Sequence, residues 1–355
     1  MTNLLDIRGL GKTFPVRRGA FGQAKSHVRA VDRVDLTIRA GETVGLVGES
    51  GCGKTTLGRC IVGAIRPTAG EITYQTSNGG AVDLAALSTR ALRPYQRQIR
   101  LVFQDPFSSL NPRMTLGQIV GDPLRANGLA SGSELDDRVA DMLTKVGLSP
   151  KYARRYPHAF SGGERQRVNI ARALIVQPRL VVADEPVSAL DVSVRGQILN
   201  LLSDLQDEFN LTYLFISHDL SVVESICDRV AVMYFGNIVE VASTGELYAH
   251  PRHPYTEALL SAVPRPDPRL RDQGRRIRLP DDLPDPTNPP VGCSFHTRCS
   301  YVQPSVCAVP GGEPPLRPVG AAEHAAACHF AETLELASVT APPKQRPTIP
   351  SQPSP

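Results

Sequence analysis

The chain has 355 residues, of which 41 % are hydrophobic and 21 % are charged, and its formal net charge is +4. This length allows two or three folding units with a substantial core, and the small net charge gives no support for nucleic-acid binding. No apolar run approaches the ~20 residues that cross a bilayer, and Met1–Gly11 lacks the apolar segment of a signal peptide. We therefore expect a cytosolic protein that reaches a membrane only through a partner.

The first part of the chain predicts strands and one helix around a glycine-rich turn. Stretches rich in Ile, Val and Leu at 4–14 and 28–38 predict strands, and Arg17–Lys25 between them predicts an exposed basic loop. Thr43–Val47 predicts a buried strand that runs into the glycine-rich turn, and Lys54–Ile65 predicts the helix that follows. This strand–loop–helix order is the context that a phosphate-binding loop requires.

The middle of the chain predicts a helical insertion in an α/β domain. A strand at Ile99–Phe103 precedes the insertion, which covers about residues 106–165 and contains helix-period stretches broken by Pro and Gly. Beyond it, apolar strands alternate with helices, which indicates a mostly parallel sheet covered on both faces. The predicted helices are Leu116–Leu124, Glu134–Val146, Gly163–Gln177 and Ser193–Phe209, and the later strands are Leu180–Ala183, Tyr213–Ile216, Arg229–Tyr234 and Asn237–Val241.

The composition changes after about residue 264, where Pro, Arg and Asp become dense and hydrophobic periodicity fades. We therefore predict a first domain at residues 1–263, a small loop-rich domain at 264–335 and a tail at 336–355. Residues 342–355 contain six prolines and no hydrophobic pattern, so we expect the tail to be disordered.

Gly48–Thr55 matches the pattern G-x-x-x-x-G-K-[ST] immediately after a predicted strand. The glycines allow the tight turn that points successive backbone N–H groups at one anion, and the following helix adds its positive end. Lys54 is expected to reach the β- and γ-phosphates of a nucleotide, and the Thr55 hydroxyl is expected to bind Mg²⁺. The predicted phosphate contacts are Gly48, Ser50, Gly51, Gly53, Lys54, Thr55 and Thr56.

Two acidic residues, Asp184 and Glu185, follow the apolar stretch Leu180–Ala183. Carboxylates at the carboxyl end of a strand lie at the ligand crevice of a parallel sheet. Asp184 is placed to hold Mg²⁺, directly or through water. Glu185 can orient and polarise the attacking water as a general base.

Ser161, Gly162 and Gly163 begin the sequence Ser-Gly-Gly-Glu-Arg-Gln, shortly before the acidic strand. With the phosphate loop and the acid pair, this sequence resembles the signature of ATP-binding cassette (ABC) ATPases. The resemblance implies a P-loop NTPase with a RecA-like α/β core, an N-terminal antiparallel β subdomain and a helical insertion. It also implies a head-to-tail dimer in which the signature binds the γ-phosphate of ATP held by the other subunit. Glu164 stands where Gln is commoner in this family.

Further residues match ABC elements in the family's order along the chain. Gln104 matches the loop glutamine that contacts Mg²⁺ or water, and His218 matches the switch histidine that can hydrogen-bond the γ-phosphate. Asp191 ends Ser188–Asp191, which matches the loop that reaches across the dimer. Phe14 matches the aromatic residue that stacks on adenine, although it also fits an ordinary place in the strand core.

Longer stretches resemble the ATPase subunits of oligopeptide and dipeptide importers, and specifically the second ATPase of such pairs. These stretches are Phe14–Val16, Phe103–Arg113 and His253–Leu260, within a resemblance that covers residues 4 to about 330. The resemblance implies ATP and Mg²⁺ as ligands, two transmembrane permease subunits and an extracytoplasmic substrate-binding protein. It also implies a second ABC ATPase subunit, either a different chain or an identical one. The chain would lie at the cytoplasmic face of the membrane, with a permease helix in the groove beside Gln104.

Four of the seven cysteines, Cys293, Cys299, Cys307 and Cys328, lie close together in the sequence. An odd cysteine count in a chain expected in the cytosol does not favour a disulfide framework. Four thiolates can instead hold Zn²⁺ or a [4Fe–4S] cluster. The wide spacing favours the cluster over zinc, and some peptide-importer ATPases with this pattern carry one. Zinc and a metal-free site stay open as alternatives.

Other functions also stay open. A nickel or glutathione importer uses a closely similar ATPase subunit. A soluble ABC protein that acts on ribosomes or DNA belongs to a different class, but such proteins usually carry two cassettes, long coiled coils or zinc modules, which this sequence does not predict. A non-hydrolysing regulatory subunit would not need the intact Lys54, Asp184, Glu185 and His218.

Overall fold

The structure, a computed structural model, describes residues 2–17, 24–105, 109–263, 277–280, 283–320 and 323–338. Several predictions fall wholly or partly outside these ranges. They are the basic loop at Arg17–Lys25, residues 106–108 of the importer-like stretch, the domain boundary near residue 264 and the tail at 336–355.

The described residues form two sheets and a set of mostly short helices. The strands are β1 (Asn3–Arg17), β2 (Ala24–Arg39), β3 (Thr43–Val47), β4 (Ala69–Gln75), β5 (Ala81–Asp83), β6 (Ile99–Val102), β7 (Leu180–Asp184), β8 (Thr212–Ser217), β9 (Arg229–Tyr234), β10 (Asn237–Ser243), β11 (Arg317–Pro318) and β12 (Ala325–Ala326). The α-helices are α1 (Lys54–Ile61), α2 (Thr89–Gln96), α3 (Leu116–Ala126), α4 (Gly132–Lys145), α5 (Gly162–Leu174), α6 (Val192–Phe209), α7 (Leu220–Ile226), α8 (Thr244–Ala249), α9 (Pro254–Ser261) and α10 (Pro304–Cys307).

The smaller sheet is antiparallel and has the order β2-β1-β4-β5. It confirms the N-terminal antiparallel β subdomain. The sequence analysis assigns β1 and β2 but not β4 and β5, which are short and have exposed ends. Burial of Ile72 and Tyr74 against the rest of the sheet, rather than a strong local pattern, gives β4 its place.

The larger sheet has the order β11-β12-β10-β9-β3-β8-β7-β6. Its five strands from β9 to β6 are parallel, and β10, β11 and β12 add an antiparallel edge. All residues of β3, β7 and β8 are buried, which confirms the prediction of a sheet covered on both faces. The parallel arrangement brings the carboxyl ends of these strands to one edge, where ligands bind in open α/β sheets.

The predicted helices form, with ends that differ by a few residues. Helix α1 ends at Ile61, earlier than predicted, because Gly63 turns the chain with a left-handed φ of 70°. In the insertion, Thr115 begins α3 with a capping box: its hydroxyl accepts from the Gln118 N–H at 3.3 Å, and its own N–H donates to Gln118 Oε1 at 2.9 Å. Among the described residues, no helix combines the length and the apolar character needed to cross a bilayer.

Candidate functional site

The phosphate loop, Gly48–Thr55, leaves the carboxyl end of β3 and enters α1. Gly48 and Gly53 have φ angles of 153° and 110°, which favour glycine. A Cβ at Gly48 would lie 2.1 Å from the carbonyl oxygen of Met233, and one at Gly53 would lie 2.0 Å from that of Ala30. The loop is therefore packed directly on the backbone of β9 and β2, and only glycine fits at these two positions.

Lys54 is buried inside the curve of the loop. Its ammonium donates to the carbonyl oxygens of Gly48 at 2.7 Å and Glu49 at 2.8 Å. This places a positive charge at the centre of the turn, as phosphate recognition requires. Ser50 and Gly51 lie exposed at the mouth of the loop, and Thr56 is half-buried in the first turn of α1.

Thr55 and Asp184 meet across the base of the site. The Thr55 hydroxyl donates to Asp184 Oδ1 at 3.0 Å. Burial raises the pKa of Asp184 above its ordinary value; the hydrogen bond from Thr55 opposes this rise, and the adjacent charge of Glu185 adds to it. A buried carboxylate next to a hydroxyl is the hard oxygen donor set that Mg²⁺ prefers, and a cation there would keep the carboxylate ionised.

The Glu185 carboxylate is held from both sides by residues that the sequence analysis names. Gln104 Nε2 donates to Glu185 Oε2 at 2.8 Å, and His218 Nδ1 lies 3.2 Å from Glu185 Oε1. Glu185 itself has a left-handed φ of 47°, although it is not glycine, and its N–H donates to the Ile216 carbonyl at 3.0 Å. Such a backbone costs on the order of 1–3 kcal/mol and is typical of functional sites. Here it turns the chain sharply at the end of β7.

The signature residues lie at the N-terminus of α5, and among the described residues Ser161 hydrogen-bonds within its own helix turn rather than to the phosphate loop. The N–H and hydroxyl of Ser161 donate to Glu164 Oε2 at 2.9 and 2.8 Å. Gly162 is half-buried, and a Cβ at Gly163 would lie 2.5 Å from Val194 Cγ1, so close packing on α6 requires that glycine. Thr55 of the phosphate loop therefore contacts Asp184 within one chain, whereas Ser161 hydrogen-bonds to its own helix turn.

Phe14 and Asp191 occupy surface positions. Phe14 lies on β1, is 36 % exposed and carries the Lys12 ammonium 5.0 Å from its ring centroid, so it is not an ordinary core residue. Asp191 is exposed at the start of α6 and makes no side-chain capping bond. Both side chains are therefore accessible to a ligand or a partner.

The four C-terminal cysteines line one cavity, together with Phe295 and other residues. All four are free thiols. Burial raises the pKa of both Cys293 and Cys299 to about 11. Among the described residues, however, no group of three or more His, Cys, Asp and Glu side chains is arranged so that it could hold a metal ion.

No sequence pattern identifies the residues that hold the phosphate loop from outside. The Glu49 carboxylate forms a two-pronged ion pair with Arg298, and the Glu49 N–H donates to the Tyr255 hydroxyl at 2.8 Å. Tyr255 lies within the importer-like stretch and Arg298 directly precedes Cys299, but nothing in their spacing indicates that either one contacts the loop.

Comparison with known proteins agrees with this geometry. Residues 31–188 match the ABC transporter family, and residues 239–307 match the C-terminal region of oligopeptide/dipeptide transporters. The oligopeptide transport ATP-binding protein AppF of Bacillus subtilis is 49 % identical over 328 residues, which are 92 % of this chain and 97 % of that protein. The chain belongs to the ABC transporter family of ATP-binding proteins. It therefore binds and hydrolyses ATP, with Mg²⁺ as the metal.

Other ABC proteins extend the comparison. The dipeptide transport ATP-binding protein DppF of Haemophilus influenzae is 51 % identical over 298 residues, which cover 84 % of this chain and 89 % of that protein. The dimeric post-hydrolysis structure of the ATP-binding cassette MJ0796, bound to ADP and Pi, is 30 % identical, with a TM-score of 0.59 over 68 % of this chain and 99 % of that one. These likenesses confirm the P-loop NTPase fold.

The close packing of the phosphate loop on backbone carbonyl groups predicts that two glycine substitutions have unequal effects on stability. Gly53→Ala should lower the free energy of unfolding by about 3 kcal/mol or more, because its Cβ meets a backbone oxygen that cannot move alone. Gly51→Ala is the matched control, since Gly51 also has a left-handed φ, 84°, but has nothing within 4 Å of the added Cβ. Its cost should be about 1–2 kcal/mol. Urea unfolding measures both free energies of unfolding, and equal losses of stability would contradict the close packing at Gly53.

Proposed function

We propose that this chain is the ATP-hydrolysing subunit of a membrane importer for di- or oligopeptides. The observation that carries its catalytic part is the Glu185 carboxylate, held between Gln104 and His218 beside the Thr55–Asp184 pair. The peptide cargo is supported by the match of residues 239–307 and by relatives named for oligopeptide and dipeptide transport.

The residues of the phosphate loop would bind the nucleotide. Backbone N–H groups of the loop, and Lys54 inside its curve, would neutralise the β- and γ-phosphates. Thr55 and Asp184 would hold Mg²⁺ with help from Gln104, and the ion would supply charge neutralisation between the two phosphates. The partly exposed ring of Phe14 would stack on adenine.

Glu185 would act as the general base. Its two oxygens face Gln104 on one side and His218 on the other, so the carboxylate is fixed before the reaction begins. It would accept a proton from the attacking water, while His218 would hydrogen-bond the γ-phosphate and Gln104 would orient the water. The strained backbone of Glu185 supports this role, because such strain is typical of functional sites.

A second ATPase subunit would complete the site. Ser161 hydrogen-bonds within its own helix turn, which also contains Gly162 and Gly163, and Asp191 is exposed, as expected if these residues serve a facing chain. The dimeric cassette structure at 30 % identity supports this arrangement, with either a different or an identical partner chain. Two permease subunits would hold the two ATPase subunits at the cytoplasmic face of the membrane, with a helix of one permease in the groove beside Gln104. On the other side of the membrane, a substrate-binding protein would deliver the cargo to the permeases.

We also propose that Cys293, Cys299, Cys307 and Cys328 hold a [4Fe–4S] cluster in a small, loop-rich C-terminal domain at about 264–335. Their shared cavity supports this. Four thiolates around a single zinc ion would each lie about 2.3 Å from it. Structural zinc sites usually pair cysteines with about two to four residues between them, a spacing that none of these four cysteines has, so a larger cluster is preferred over zinc. Bound there, the cluster would tie the loops of this domain together.

Glu185→Gln should stop ATP turnover while the chain still binds ATP. Gln keeps the shape but cannot accept the proton, so the rate of hydrolysis should fall by about 10²–10⁴. Phosphate release by the assembled transporter measures turnover, and retained nucleotide measures binding. Glu134→Gln, at an exposed ion pair with Arg138, is the matched control. Unchanged hydrolysis in Glu185→Gln would rule out its role as the base.

Cys299→Ser should remove the metal from the C-terminal domain and loosen residues 290–330. The measurements are iron and sulfide content after anaerobic purification, visible absorbance, and proteolysis of this segment. Cys60→Ala, which removes a buried thiol in α1 instead, should leave the iron content unchanged. A colourless, iron-free wild-type protein would contradict the cluster, and stoichiometric zinc would establish the alternative.

The transport function is tested by purifying the chain from native membranes. We expect two permease subunits to purify with it, and di- or oligopeptides with their binding protein to stimulate ATP hydrolysis. If only nickel or glutathione stimulated ATP hydrolysis, the cargo would be that solute rather than a peptide. Purification without any permease would instead indicate a soluble ABC ATPase that is not coupled to transport.

A further inference from the structure

Glu49, the second residue of the phosphate loop, is joined to the cysteine-containing region by an ion pair. Arg298 Nη1 lies 2.7 Å from Glu49 Oε2, and Arg298 Nη2 lies 3.1 Å from Glu49 Oε1. The Arg298 side chain is 5 % exposed and that of Glu49 is 29 % exposed. This is the planar, two-pronged geometry in which a guanidinium binds a carboxylate most specifically.

Arg298 is itself held in place by its surroundings. It lies in the short 3₁₀ turn His296–Arg298, and its Nε donates to the Pro280 carbonyl at 3.0 Å. The same turn follows Phe295, a buried ring that packs against Tyr234 and Tyr255 at centroid distances of 5.1 and 5.5 Å. The guanidinium that binds Glu49 is therefore held in a fixed position and is not a flexible side chain on the surface.

Three polar groups of Glu49 are engaged at once. Its carboxylate binds Arg298, its N–H donates to the Tyr255 hydroxyl at 2.8 Å, and its carbonyl accepts from Lys54 Nζ at 2.8 Å. Two of these partners come from the C-terminal part of the chain, and the third is the lysine proposed to bind phosphate. A change at Arg298 can therefore reach Lys54 through one residue.

The charge of Glu49 explains why Arg298 matters for nucleotide binding. A carboxylate in the phosphate loop repels the phosphates of ATP and competes for Lys54 unless a cation neutralises it. Arg298 supplies that cation, and its burial limits screening by solvent. Removing only Arg298 leaves a partly buried, unpaired negative charge at the mouth of an anion site, whereas removing both charges does not.

We propose that Arg298 is a positioning residue for the ATP site: it neutralises and orients Glu49, so that the phosphate loop keeps the shape that binds ATP. The region around Arg298 thereby contributes to nucleotide affinity, although it lies outside residues 31–188, which match the ABC transporter family. This inference rests on the proposed phosphate-binding role of Lys54.

The test is a double-mutant cycle on the full-length chain, with equilibrium binding of Mg²⁺-ATP as the readout. Arg298→Met should raise the Kd for ATP about tenfold, which corresponds to about 1.4 kcal/mol. Glu49→Gln should change the Kd by less than about threefold, because the neutral side chain no longer needs a counter-ion. The double variant should bind ATP about as well as Glu49→Gln alone. Arg317→Met, which breaks an exposed ion pair with Glu332 in the same region, should leave the Kd unchanged.

Rescue by Glu49→Gln separates positioning from a purely structural role. If Arg298 only stabilised the C-terminal region, the double variant would bind ATP as poorly as Arg298→Met, and the proposal would be overturned. An unchanged Kd in Arg298→Met would overturn it as well. If Arg298→Met does not fold, as judged by circular dichroism, Arg298→Lys replaces it and should give a smaller loss that Glu49→Gln also rescues. Wild-type protein that does not bind Mg²⁺-ATP would instead refute the proposed function.

Discussion

The phosphate loop turns so tightly that its glycines lie against backbone carbonyl groups from distant parts of the chain. Gly53 meets Ala30 in the small sheet, and Gly48 meets Met233 in the large one. Arg298 approaches the same loop from the C-terminal region. Because Gly48 and Gly53 have no side chains to separate the loop from these carbonyl groups, the shape of the loop depends on all three regions being in place. The phosphate binding that we propose for this short segment would thus depend on residues from the whole fold.

The topology also arranges the proposed catalytic groups along one edge of the sheet. Strands β6, β7 and β8 are neighbours, and the segments after them supply Gln104, Glu185 and His218. The parallel strands bring two side chains that are far apart in sequence, those of Gln104 and His218, to the Glu185 carboxylate. The left-handed backbone of Glu185 is the local strain that this arrangement requires. The rigid sheet around it supplies the stability that keeps this backbone in place.

The parts of the site that sequence could predict are those whose chemistry is local. Gly48–Thr55 and the acid pair after β7 contain their own turn, charge and strand signals, and the structure brings them together. The spacing of the C-terminal cysteines predicts a shared site, and the four residues line one cavity. The pairing of Glu49 with Arg298 could not be predicted, because it joins residues 249 positions apart and depends on how two regions pack. The end of α1 was placed too late for a related reason: the left-handed turn at Gly63 is set by packing as well as by local sequence.

We propose that ATP binds at a phosphate loop whose shape depends on the C-terminal region around Arg298. Amide hydrogen exchange of the full-length chain, with and without Mg²⁺-ATP, tests this most directly. We predict slower exchange at residues 48–56 and, in the same experiment, at residues 295–299, because Arg298 is tied to Glu49. Slower exchange in the phosphate loop with no change at residues 295–299 would contradict the dependence on the C-terminal region. No change in either segment would contradict the ATP site itself.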